Sequence, residues 1–220
     1  MAISDDSRMT TTDAMWKRVL SEVPLIAILR GIEPRSVLGI SEALQASGFL
    51  CVEVPLNSQD ACASIAKLRE NFDGRLLVGA GTVLSVSEVA AVHDVGAQFV
   101  VSPNTDPAVI RATKEHGLVS VPGFATASEA FAASVAGADA QKLFPAEAAP
   151  PPVLRALKAV LPASLPVLPV GGISTTNMKA YVDAGAAGFG IGSSLYSLGV
   201  SGEVVRERAM GFVRAWRAGR

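Results

Sequence analysis

Lys142 lies inside the short apolar segment Ala140-Gln-Lys-Leu-Phe-Pro145, which reads as a buried strand. The other five lysines, Lys17, Lys67, Lys114, Lys158 and Lys179, fall in the N-terminal segment or on helical patterns, where a solvated head group is ordinary. Desolvation lowers the pKa of an amine and leaves it free and nucleophilic at neutral pH, the state that forms a Schiff base with a ketone. Glu53 is the one carboxylate inside an apolar strand-like run, which makes it the natural partner of Lys142. A carboxyl group beside such an amine can move the protons of carbinolamine dehydration and enamine protonation. The competing reading of the two residues is a structural buried ion pair.

Two further groups fit an acidic ketone. Arg30, at the end of the first strand-like run, suits a planar, bidentate contact with a carboxylate, or else pairs with a loop acid. Thr82, in Gly79-Ala-Gly-Thr82, can offer a hydroxyl and backbone N–H groups to the same carboxylate or to the keto oxygen. Gly171-Gly172 follows the seventh run, and Gly190-Ile-Gly-Ser193-Ser194 closes the eighth. Glycines there permit close backbone approach, and a helix N-terminus after each turn would supply donors to a phosphate.

These residues need elements that bring them together. Apolar runs recur at 25–29, 49–54, 76–80, 99–102, 118–121, 140–144, 166–170 and 188–191, implying eight strands. The segments between them carry helical periodicity, as in Val37, Ile40 and Leu44 or Ala61, Ile65, Leu68 and Phe72. Ser85 with Glu88 and Thr126 with Glu129 have capping-box spacing, and Asp106-Pro107 and Glu33-Pro34 place proline at a helix start. Gly48, Gly74, Gly96, Gly117, Gly137 and Gly185 each precede a strand, where a left-handed residue ends a helix.

Continuous apolar strands alternating with eight helices predict a parallel sheet covered on its outer face, and the count favours a single-domain (β/α)₈ TIM barrel over residues 21–220. In that architecture the chemistry sits at the C-terminal ends of the strands, where Arg30, Glu53, Thr82 and Lys142 fall. A doubly wound sheet is disfavoured because no GxGxxG follows the first strand. Residues 1–20 are polar at the start and read as a loose arm, without the apolar core of a signal peptide.

Composition narrows the function classes. A net charge of −1 without a basic run gives no footprint for nucleic acid or an anionic membrane, and no apolar stretch approaches the roughly 20 residues of a membrane span. Cys51 and Cys62 form neither a disulfide framework nor a metal spacing, which fits a reducing cytoplasm. His93 and His116 sit near helix ends and belong to no ligand cluster, so a metal-dependent mechanism is poorly supported.

The strings Ile28-Leu-Arg-Gly31, Val52-Glu-Val-Pro-Leu-Asn-Ser58, Gly79-Ala-Gly-Thr-Val83, Ser102-Pro-Asn104, Lys142-Leu-Phe-Pro145 and Val170-Gly-Gly-Ile173, in this order, resemble the 2-keto-3-deoxy-6-phosphogluconate and phosphogalactonate aldolases over about residues 20–200. The resemblance implies a homotrimeric (β/α)₈ barrel that uses a lysine Schiff base, with no metal or organic cofactor, to cleave a phosphorylated keto-deoxy sugar acid into pyruvate and glyceraldehyde 3-phosphate. It implies Lys142 as the Schiff-base lysine, Glu53 as the proton shuttle, and Arg30 and Thr82 as binders of the pyruvyl carboxylate. Pro103 then lines the same pocket, and Gly171, Gly172, Gly192 and Ser193 hold the phosphate. Asn57 and Val170 stand where the gluconate enzymes have arginine and threonine, so both resemble the phosphogalactonate branch. A site without a polar partner at Val170 should tolerate either C4 epimer better than one built around such a partner. Phosphogalactonate is the expected substrate, with phosphogluconate as a second. The alternatives are a phosphogluconate or 4-hydroxy-2-oxoglutarate aldolase of the same mechanism, and a non-catalytic phosphosugar-binding barrel.

Overall fold

Each of the eight apolar runs becomes a parallel strand in the computed structural model, which describes residues 10–219. The strands are β1 (Leu25–Ile28), β2 (Cys51–Pro55), β3 (Leu77–Gly81), β4 (Phe99–Val101), β5 (Val119–Val121), β6 (Gly123–Phe124), β7 (Gln141–Leu143), β8 (Val167–Pro169) and β9 (Phe189–Ile191). The ninth arises because the fifth run continues past Pro122, which has no N–H to give the ladder and so divides it. Every strand is buried on both faces, as continuous apolar runs require.

Eight helices follow the strands: α2 (Val37–Ala46), α3 (Ala61–Phe72), α4 (Val86–Asp94), α5 (Pro107–Glu115), α6 (Ala127–Ala136), α7 (Pro151–Lys158), α8 (Met178–Asp183) and α9 (Gly202–Ala218). The capping boxes Ser85–Glu88 and Thr126–Glu129 both form, and Asp106 caps α5 through the Ala108 N–H. Pro34 opens a turn three residues ahead of α2 rather than its first helical residue; the Glu33 carbonyl accepts from Ser36 and Val37. All six expected stop glycines have φ between 68° and 103°.

The parallel α/β arrangement is as expected, but the ladders make two sheets. One has the order β5-β4-β3-β2-β1-β9 and the other β6-β7-β8. Val170 and Gly190 form one parallel bridge between the end of β8 and β9. At the other junction the Ser120 carbonyl accepts from Ala140 and the Pro122 carbonyl from Lys142.

The expected loose arm is corrected over its described part. Residues 1–9 lie outside the described residues, but α1 (Thr11–Glu22) is a helix with a capping box between Thr10 and Asp13. It buries Met15, Trp16 and Val19 on one face, with Trp16 stacked on Phe99 at a centroid distance of 6.5 Å. Met15, Trp16, Val19 and Leu20 do fall at helical spacing, but over little more than one turn beside a polar start, and Asp13 rather than Glu closes the box. α1 contributes to the same core as the strands.

Candidate active site

β2 and β7 carry the two buried charges. Glu53 lies opposite Ile28 and Gly79, and Lys142 lies between Gly123 and Leu168; their exposures are 2% and 6%. Strand alternation turns both inward, where they line one small internal void with Ile26, Ile28, Val101, Val121, Leu168 and Val170. The two are neighbours across that void, joined by no hydrogen bond or ion pair among the described residues, and Glu53 Oε2 is buried without a hydrogen-bond partner. Burial raises the Glu53 carboxyl, partly offset by the positive charges of Lys142 and then Arg30. Burial also lowers the Lys142 amine, with Glu53 acting against the fall and Arg30 adding to it. Each group is thereby pushed toward its neutral form, as a nucleophilic amine beside a proton donor requires. Cys51, one alternation away from Glu53, has its thiol pushed well up by burial and then by the Glu53 charge, which makes it inert.

The geometry around Glu53 explains the glycines of Gly79-Ala-Gly-Thr82. Gly79 and Gly81 do not form a turn; both belong to β3. A Cβ on Gly81 would sit inside the Glu53 carboxylate, and one on Gly79 would meet the Phe99 ring. Thr82 follows at φ 56°, a left-handed conformation that strains a β-branched residue.

Above the void opens a cavity of about 650 Å³ whose lining includes Arg30, Lys142, Phe144, Glu147, Val170, Gly171, Gly172, Gly192 and Ser193. Lys142 Nζ stands 4.6 Å from the centroid of the Phe144 ring. Arg30 Nη1 donates to Asn57 Oδ1 at 2.6 Å, so its partner is an amide and not the loop acid that was the alternative. One residue along each loop, the Gly31 N–H donates to Ser58 Oγ at 2.9 Å. The loop after β2 thus holds the loop after β1 at two points.

Gly171 and Gly172 have φ of 107° and 63° and lie under the Glu147 side chain. Asn177 fixes this turn, donating to the Gly172 carbonyl and accepting from the Ser174 N–H. After β9 the chain makes one helical turn, with Tyr196 N–H donating to the Gly192 carbonyl at 3.0 Å; the long helix expected there, α9, begins only at Gly202. Among the described residues none supplies a backbone acceptor to the N–H groups of Ile173, Ser193 or Ser194. Gly192 has neither a left-handed φ nor a neighbour within 4 Å of an added Cβ, so the room it leaves belongs to the cavity. Free donors and open space at the ends of β8 and β9 suit an anion.

The structure brings Arg30, Lys142, Val170, Gly171, Gly172, Gly192 and Ser193 onto one cavity, with Glu53 beneath it. Asn57 reaches it through Arg30. Thr82 and Pro103 are outside the lining, although both sit at C-terminal strand ends; the Pro103 carbonyl instead packs where Gly123 has no side chain. The family model for KDPG and KHG aldolases matches residues 17–206.

The chain belongs to the KDPG and KHG aldolase family.

The 2-dehydro-3-deoxy-6-phosphogalactonate aldolase of Escherichia coli (strain K12) is 45% identical over 197 residues, 90% of this chain and 96% of that protein. A native KDPGal structure superposes with a TM-score of 0.89 at 44% identity, over 90% of this chain and 97% of the other. The KDPG aldolase of Legionella pneumophila, solved with pyruvate captured at low pH as a covalent carbinolamine intermediate, superposes with a TM-score of 0.77 at 26% identity, over 95% and 97%.

Sequence reasoning on this aldolase missed Phe144, Glu147 and Tyr196 among the residues of the cavity. Phe144 was within reach, because it shares the inward alternation of Lys142. Glu147 lies in the short 3₁₀ turn Ala146–Ala148, and Tyr196 in the single turn after β9, where no periodic signal marks a facing. The His93 and His116 rings meet at a centroid distance of 4.7 Å and a tilt of 42°, beside a separate surface cavity.

Proposed function

We propose that this chain is a class I aldolase that cleaves 2-dehydro-3-deoxy-6-phospho-D-galactonate to pyruvate and D-glyceraldehyde 3-phosphate. The observation that carries the reading is the pairing of a buried Lys142 and a buried Glu53 on one void, directly beneath a cavity with an arginine near them and glycine turns at its rim. The neutral Lys142 amine adds to the C2 keto carbon and water leaves, giving an iminium. Glu53, left as the carboxylate after giving its proton to the departing water, takes the proton of the C4 hydroxyl; the C3–C4 bond breaks and its electron pair passes into the enamine while the aldehyde departs. Glu53 in its protonated form delivers a proton to C3, and hydrolysis returns pyruvate and the free amine. Arg30 and Thr82 bind the pyruvyl carboxylate, Pro103 borders them, and Gly171, Gly172, Gly192 and Ser193 hold the phosphate.

Preference for the galactonate epimer is supported by Val170, whose apolar side chain lines the cavity and packs against Gly190. It is supported also by Asn57, which is engaged by Arg30 and adds no second cation. Borohydride reduction in the presence of pyruvate should add one pyruvyl unit, located on Lys142 by mass spectrometry, and Lys142→Ala should lose both adduct and turnover while keeping its far-ultraviolet dichroism. An adduct on another lysine, or none, would sink the mechanism. In kcat/KM the galactonate epimer should exceed the gluconate epimer; the reverse order would make the chain a phosphogluconate aldolase.

The proposal extends to the assembly. β5 and β6 count as one strand bent at Pro122, so that eight strands close into a (β/α)₈ barrel in a domain spanning residues 21–220. The bridge between Val170 and Gly190 and the bonds onto the Ser120 and Pro122 carbonyls support closure. The resemblance supports a homotrimer, and the two free cysteines support a cytoplasmic location. Among the described residues no helix is long and apolar enough to cross a membrane.

A further inference from the structure

Glu147 is the only carboxylate among the described residues that line the main cavity, Glu53 being confined to the void below. It stands on the turn between β7 and α7, with its side chain laid over Gly171 and Gly172. A Cβ on Gly172 would come within 2.6 Å of Glu147 Cγ, and one on Gly171 would enter the carboxylate itself. The double glycine therefore makes room for this side chain as well as for a ligand. No hydrogen bond or ion pair engages the carboxylate among the described residues, and the residue is exposed.

An acceptor lying over the glycine turn without a donor narrows what it can meet. A carboxylate only accepts, so it repels a phosphate, whose donors are the free N–H groups of Ile173, Ser193 and Ser194. Its side chain packs on the glycine turn, at Gly171 and Gly172. Between a keto carbon on Lys142 and a phosphate at the glycine turns, the groups left to donate are the hydroxyls of the carbon chain.

We propose that Glu147 is a specificity-determining residue of this reaction, accepting a hydrogen bond from the hydroxyl next to the phosphate-bearing carbon. The inference rests on the aldolase reading above. Such a bond selects hydroxylated aldehydes over deoxy ones, because a site that pairs a substrate hydroxyl rejects the analogue lacking it.

The test runs the condensation of pyruvate with two aldehydes, D-glyceraldehyde 3-phosphate and 3-phosphooxypropanal, which differ only in that hydroxyl. Glu147→Ala should lower kcat/KM for the hydroxylated aldehyde roughly ten- to a hundredfold and leave the deoxy aldehyde within about twofold. Glu147→Gln, which keeps an acceptor oxygen, should fall between wild type and Glu147→Ala. A parallel loss on both aldehydes, no loss on the hydroxylated one, or a Glu147→Gln no better than Glu147→Ala would overturn the assignment. The borohydride-trapped pyruvyl adduct separates the two levels. If it forms on Lys142 in wild type and variants while the aldehyde ratio is unchanged, Glu147 alone is excluded; if wild type forms none, the aldolase reading falls and this assignment with it.

Discussion

At the scale of single residues, Glu53 and Lys142 are held in a state that water would not allow. Both are displaced toward neutrality by burial, and the sign of each displacement sets a pH dependence. Adduct formation needs the neutral amine, so its rate should rise with pH through a value below the ordinary lysine pKa of about 10.4, as read by the initial rate of borohydride-trapped pyruvate. For Glu53 the folded pKa is raised, so the folded protein binds the proton more tightly than the unfolded chain does. Its contribution to stability is complete below the ordinary glutamate value of about 4.3 and is lost as pH rises through the raised one. Glu53→Gln removes that penalty. Its melting temperature should exceed that of wild type at neutral pH, with the gap closing as pH falls toward 4, and its kcat should drop by about 10²–10⁴ while the adduct still forms. A gap independent of pH would mean that Glu53 is ionised normally.

At the scale of elements, the register between β2 and β3 decides what position 81 can hold. Gly81→Ala places a methyl on the Glu53 carboxylate, so we expect a loss of about 1–3 kcal/mol in denaturant unfolding and a fall in kcat like that of Glu53→Gln. Gly192→Ala is the contrast. Its Cβ enters open cavity, so stability should stay within about 0.5 kcal/mol while KM for the phosphorylated substrate rises. Two glycines of similar appearance in the sequence thus separate into one that accommodates the protein and one that faces open cavity.

The elements also show why some features were legible in the sequence and others were not. The capping boxes at Ser85 and Thr126 and the stop glycines were readable because each is a bargain struck within four residues. Helix α1 has a box of the same span, but with Asp13 in place of Glu, and its short apolar stripe takes on meaning only by the burial of Met15, Trp16 and Val19 against strands that begin far along the chain. Lys142 and Glu53 were legible because a charge inside an apolar strand is anomalous wherever the strand packs. Glu147 was not, because its position matters only once the turn after β7 lies on the turn after β8.

At the scale of the whole molecule, one core runs from α1 through all the strands to α9, so the site rests on a single packed unit. Phe131 and Val135 on α6, four residues apart, stay 43% and 90% exposed, an apolar pair that an assembly would cover. Light scattering should give the mass of three copies of the 22.7 kDa chain, with Val135→Glu weakening the assembly if α6 lies in its interface. A monomeric mass would remove the trimer from the proposal.

The periods of two and 3.6, the glycines and caps at element ends, and the two charges in apolar strands are properties of neighbouring residues, and they alone specified parallel strands alternating with helices and a buried amine in one of those strands. Which groups meet was settled by folding: Arg30 with Asn57 across 27 positions, Gly81 against Glu53, Glu147 over Gly171 and Gly172, and Lys142 beside a carboxyl that it does not touch. Contacts of this kind depend on register and loop approach between distant segments, which packing sets and local pattern does not encode.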